Sequence, residues 1–145
     1  MLIQRSFFLF LFISLLVFSQ EKDLNLPNLG DRVSGVISLE QERILGQGFL
    51  EQVYAQAPLI NDPIIQEYTE LLIYKLSETS QVKDRQFTIV LIDEKSLNAF
   101  AAPGGVIGVN GGLFLNAGNE AQLASVLGHE LAHLSQRHFA RNVLR

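Results

Sequence analysis

Cysteine and tryptophan are both absent from the 145 residues. Without cysteine there is no disulfide framework, no thiolate zinc finger, no iron–sulfur cluster and no lipid-modified N-terminal cysteine. Cations are also scarce: 11 Lys and Arg face 15 Asp and Glu, for a formal net charge of −4. With no basic run and no basic stripe interleaved with aromatics, the composition argues against a nucleic-acid partner or an anionic membrane surface. No internal repeat and no low-complexity tract interrupts the chain. Disorder as a class is excluded too, because 48% of residues are hydrophobic and only 18% are charged. The length allows one small domain.

Long hydrophobic runs are limited to the N-terminus. Phe7 to Phe18 is apolar except for Ser14 and follows Arg5. As a helix this run rises about 18 Å, short of the roughly 30 Å of a bilayer's hydrocarbon core. Val17-Phe18-Ser19 then offers compact residues before Gln20. The pattern predicts a signal peptide over 1–19, export, and a mature chain starting at Gln20. An uncleaved N-terminal anchor is the alternative. Residues 20–37 carry Pro27 and Gly30 without sustained periodicity and read as a lead-in segment.

A folded domain is expected over 38–145. Ser38-Leu39-Glu40-Gln41 fits a capping box, with Leu50, Val53, Tyr54 and Ala57 following at helical spacing until Pro58. Asp62-Pro63 is an N-cap followed by proline at the first helical position, and Ile65, Tyr68, Leu72 and Leu76 continue that helix toward Ser80. Phe87 to Ile92 is apolar on both alternating faces, the mark of a strand buried on two sides. Ala102-Pro103-Gly104-Gly105 signals a turn, and Val106-Ile107-Gly108-Val109 a second strand. The glycines at 108, 111 and 112 weaken that strand and let another chain segment come close. Asn119-Glu120-Ala121-Gln122 opens a long helix expected to reach at least Gln136.

That helix contains His129-Glu130-Leu131-Ala132-His133, an H-E-x-x-H pattern. Histidines four apart share a helix face, so both imidazoles can reach one cation at about 2.0–2.1 Å. Glu130, rotated about 100° from His129, stands beside that cation without having to ligate it. Zinc there would acidify water, and Glu130 would take the proton as the water attacks a carbonyl carbon. With Leu123 at zero degrees, Leu127, Leu131 and Leu134 fall at about +40°, +80° and +20°, and the two histidines at about −120° and −80°. The histidines therefore flank the apolar stripe. Gly128 costs about 1 kcal/mol relative to alanine in a helix interior, and close approach of another backbone would account for it. His138 lies about 140° around a continuous helix from His133 and reads as a capping or core residue. Gln136 and Phe139 stand where a metzincin would have glycine and histidine.

A catalytic zinc usually has three protein ligands, and no Asp or Glu follows His133. Upstream Asp93, Glu94 and Glu120 remain candidates, but the third ligand is expected beyond Arg145. The chain then reads as the front part of a longer protein.

Asn98 to Gly105, Val106 to Gly112, Asn119 to Ala124 and Gly128 to His133 together resemble the M48 zinc metallopeptidases, of the gluzincin class. Within that family the chain looks similar to an exported periplasmic branch, the β-barrel assembly-enhancing proteases, in which tetratricopeptide repeats follow the catalytic domain. The resemblance implies an α+β zincin-like fold, Zn2+ on His129 and His133, and Glu130 as general base. It further implies that Val106, Ile107, Gly108 and Val109 form an edge strand that holds extended substrate. Unfolded or misassembled envelope proteins would be the substrates, and the outer-membrane assembly machinery a partner. A non-catalytic binding or chaperone-like module is the competing reading, because the metal site is incomplete within this chain.

Overall fold

The computed structural model describes residues 37–142, with side chains as far as Ala140. The expected signal peptide and most of the lead-in lie outside the described residues. The architecture is α+β: two helices, three strands around a tight turn, then a short helix, the long helix and a last short one.

Helix α1, Leu39–Gln56, begins with the expected capping box. The Gln41 N–H donates to Ser38 Oγ at 3.1 Å, and the Ser38 N–H donates to Gln41 Oε1 at 2.8 Å. Helix α2, Pro63–Glu78, starts on Asp62, whose carboxylate accepts from the N–H groups of Ile64 and Ile65. Both starts satisfy amide groups that the first helical turn leaves without partners.

Strands β1 (Thr88–Ile92), β2 (Ala99–Ala102) and β3 (Val106–Asn110) form one sheet in the order β1-β3-β2. Strand β3 runs parallel to β1, with Val90 opposite Gly108, and antiparallel to β2, with Phe100 opposite Gly108. This corrects the expected edge position of Val106, Ile107, Gly108 and Val109. They occupy the central strand, both of whose edges are paired, and every residue of it is buried. Apolar residues on both faces suit a central strand better than an edge, which exposes one side to water.

The two sheet faces separate by residue parity. Ile89, Leu91, Ile107, Val109 and Ala99 join a core with Leu72 and Ile73 of α2 and with Leu123, Leu127 and Leu131 of the long helix. That long helix, α4 (Glu120–Ser135), follows a short α3 (Gly111–Asn116). On the other face Gly108 leaves room for the Phe100 ring, which meets Phe49 of α1 edge-on with centroids 5.8 Å apart.

Helix α1 reaches the sheet through the Pro103–Gly105 turn. A Cβ on Gly46 would collide with the carbonyl of Pro103, so glycine lets the two backbones touch. Gly104 and Gly105, at φ 70° and 79°, make the left-handed turn itself. The face expected to be buried on α1 is therefore only partly used: Leu50 and Val53 are half-buried and Tyr54 is exposed, whereas Glu42 and Gly46 are buried.

The long helix ends one residue earlier than expected, at Ser135, with Gln136 as its C-cap. Arg137 has φ 48°, and a short α5 (His138–Asn142) starts in a new direction. Among the described residues no helix is long and apolar enough to cross a membrane.

Candidate metal centre

Asn119 caps α4 by accepting the Gln122 N–H at 3.0 Å, and Leu123, Leu127 and Leu131 bury its apolar stripe. Seven residues past Leu123, Glu130 falls about 20° from it around the helix and so inside that stripe. Its carboxylate-bearing residue is only 9% exposed, while His129 is exposed and His133 half-buried. The helix thus places an acid where a hydrophobic residue would be expected. Among the described residues, nothing hydrogen-bonds to it.

The two imidazoles converge. His129 Nε2 and His133 Nε2 stand 3.0 Å apart, with the rings near perpendicular at 89°. One ligand atom from each of His129, Glu130 and His133 lies within 4.8 Å of the others. Two Zn–N bonds at a tetrahedral angle need nitrogens about 3.3 Å apart, close to what is present. A buried carboxylate without a partner is costly, and a nearby cation offsets that cost. On ligand type, spacing and charge the residues fit a divalent metal. Asp93, Glu94 and Glu120 lie outside this group.

His138 corrects its sequence reading. The angle of about 140° assumed a continuous helix, but the left-handed Arg137 turns the chain and brings His138 back onto His133. Their Nδ1 atoms are hydrogen-bonded, and His138 Nε2 lies 2.9 Å from Gln136 Oε1. Gly128 also departs from expectation. Among the described residues nothing beyond its own helical turns and chain neighbours lies within 4 Å of where its Cβ would stand, so no other backbone approaches it there.

A cavity of about 460 Å³ opens beside the histidines, lined by Phe100, Ala101, Ala102, Glu130, His133 and His138 among others. Strand β2 forms one wall and is an edge of the sheet. The other edge, β1, is covered: Ile60 N–H donates to Leu91 O at 3.0 Å and Asp93 N–H to Pro58 O at 2.8 Å. Sequence reasoning missed β2 as a strand. Four residues with three alanines give too weak a signal, although an apolar run ending at Pro-Gly-Gly is the pattern of a strand entering a turn.

The comparisons agree with this arrangement. A Beta-barrel assembly-enhancing protease of Escherichia coli is 38% identical over 116 residues, covering 80% of this chain and 24% of that protein. The Yersinia pestis protein of that name is 37% identical over the same shares. A mitochondrial metalloendopeptidase OMA1 of Arabidopsis thaliana is 33% identical over 67 residues, 46% of this chain and 14% of its own. The chain spans about a quarter of the length of the bacterial relatives. Residues 63–145, which include β1 to β3 and the H-E-x-x-H helix, match Peptidase family M48, and the chain belongs to that family.

Proposed function

We propose that this protein is a zinc-dependent metalloendopeptidase in which His129 and His133 hold the metal and Glu130 is the general base. The observation that carries this reading is the pair of Nε2 atoms 3.0 Å apart beside a buried carboxylate, with His133 and Glu130 lining a cavity bounded by a sheet edge. A bound zinc would supply Lewis acidity to polarise a carbonyl and acidify water. Glu130, held in a cavity wall by its place in the apolar stripe, accepts the proton of the attacking water and returns it to the leaving amine.

Extended substrate docks on β2 rather than on the central strand. Asn110 N–H donates to Asn98 O at 3.0 Å, which sets the alternation of the β2–β3 ladder. Ala99 and Ala101 then direct their N–H and C=O groups outward, and a peptide can pair with them along the wall that faces Glu130 and His133. Such pairing reads backbone rather than side chains, which suits unfolded polypeptides.

The names of the bacterial relatives, together with the signal-like residues 1–19, support an exported protein acting in the periplasm on unfolded or misassembled envelope proteins, with the outer-membrane assembly machinery as a partner. The test is Glu130→Gln in the full-length protein. Loss of cleavage of an unfolded protein with zinc still bound supports the reading. Undiminished cleavage by that variant rejects it. Wild-type protein that binds unfolded chains yet yields no chelator-sensitive fragments identifies a non-catalytic binding module instead.

A further inference from the structure

We propose that His138 and Gln136 form a proton-ordering relay that presets His133 as a metal ligand, with Arg137 as the hinge that makes the relay. The inference rests on the reading of His133 as a ligand given above. It follows from hydrogen-bond direction.

A neutral imidazole has one N–H and one lone pair, and only the nitrogen bearing the lone pair can bind a metal. Gln136 Oε1 can only accept, so the 2.9 Å contact with His138 Nε2 places the proton of His138 on Nε2. His138 Nδ1 then carries a lone pair. Its hydrogen bond with His133 Nδ1 requires the proton on His133 Nδ1, which leaves the lone pair of His133 on Nε2, the atom that faces His129. Among the described residues His129 has no such director.

The relay exists only because α4 stops. On a continuous helix His138 would point away from His133, and the left-handed φ of 48° at Arg137 reverses that direction. This conformation is disfavoured for a residue with a Cβ, and it is anchored: the Arg137 guanidinium binds Glu42 of α1 and the carbonyl of Ile37. His138 is thus a positioning residue and Arg137 its support. A side chain that orients a ligand through its second nitrogen contributes typically 10- to 100-fold in metal affinity.

The test uses full-length protein labelled with 15N-histidine, stripped of metal, in mildly alkaline buffer. Two-bond 1H–15N correlations should show His133 protonated on Nδ1 and His138 on Nε2. In His138→Ala, His133 should lose that preference, and the zinc dissociation constant should rise about 10- to 100-fold. His138→Asn, which keeps an acceptor near the Nδ1 position, should recover most of the affinity. Wild-type His133 protonated on Nε2, or an unchanged zinc affinity in His138→Ala, overturns the relay. The underlying reading fails separately, if His133→Ala binds zinc as tightly as wild type.

Discussion

Arg137 Nε donates to Glu42 Oε1 at 2.9 Å across 95 positions of sequence, and neither side chain is more than 11% exposed. The ion pair joins the first turn of α1 to the point where the long helix breaks. A second, more exposed pair, Arg43 to Asp84 at 2.6 Å, ties the next residue of α1 to the segment before β1. Helix α1 is therefore fastened to the end of the H-E-x-x-H helix by charge and to the Pro103–Gly105 turn by backbone contact.

Glu42→Gln removes the carboxylate charge from the buried Arg137–Glu42 pair. Breaking a buried pair from one side costs about 3–5 kcal/mol. Urea unfolding should show that loss with an unchanged slope. Glu40→Gln, at the exposed end of the 3.7 Å pair with Arg43, should change stability by less than about 0.5 kcal/mol.

Gly46→Ala sets helix propensity against packing. Alanine gains about 1 kcal/mol in a helix interior. The new Cβ would overlap the Pro103 carbonyl, a backbone atom that cannot rotate aside, at a cost of about 1–3 kcal/mol. The expected net effect is a loss of up to about 2 kcal/mol, read by thermal unfolding. Gly48→Ala, with open space around it, should be neutral or stabilising.

Glu130→Gln should lower the rate of peptide hydrolysis about 10²- to 10⁴-fold, the usual contribution of a general base. Zinc content, measured by atomic emission, should stay at the wild-type level if the imidazoles hold the metal. Loss of zinc along with activity would make Glu130 a ligand instead.

Chelation should lower the melting temperature of the wild-type protein. A metal present at 100 times its dissociation constant stabilises the folded state by about 2.7 kcal/mol. His133→Ala should start from the lower temperature and show no response to chelator or to added zinc.

Ala101→Pro removes one outward N–H from β2, at an edge position where proline is tolerated. If substrate pairs there, kcat/KM for an extended peptide should fall about 2- to 10-fold, the worth of one hydrogen bond. Zinc affinity should be untouched. An unchanged kcat/KM would move the docking site away from β2.

Local chemistry made much of this protein legible. The capping box at Ser38, the Asp62-Pro63 start and the Asn119 cap each involve residues within three positions of one another, and all three helices begin where those signals stand. Spacing along α4 likewise brought His129 and His133 together and set them beside the leucine stripe, because helix geometry is independent of what packs on it. The same arithmetic carries Glu130 into the stripe.

Failures came wherever a long-range partner decides. The central place of β3 depends on a β2 too short to announce itself, and parity of burial cannot reveal which of two strands pairs on both sides. Glu42 reads as an ordinary charge on the first turn of a helix until Arg137 is found against it. His138 looked misdirected because rotation was counted through a residue whose φ is positive, and nothing near Arg137 in sequence demands that conformation.

The sequence by itself determined where the helices start, that the chain is α+β, and that two imidazoles and a carboxylate meet on one helix, since each depends on neighbours a few residues apart. Tertiary structure alone decided which strand is left open beside those groups and which side chain meets the second nitrogen of His133. Both are settled by contacts between segments distant in the chain, whose strength depends on burial and on a backbone reversal that no local pattern encodes.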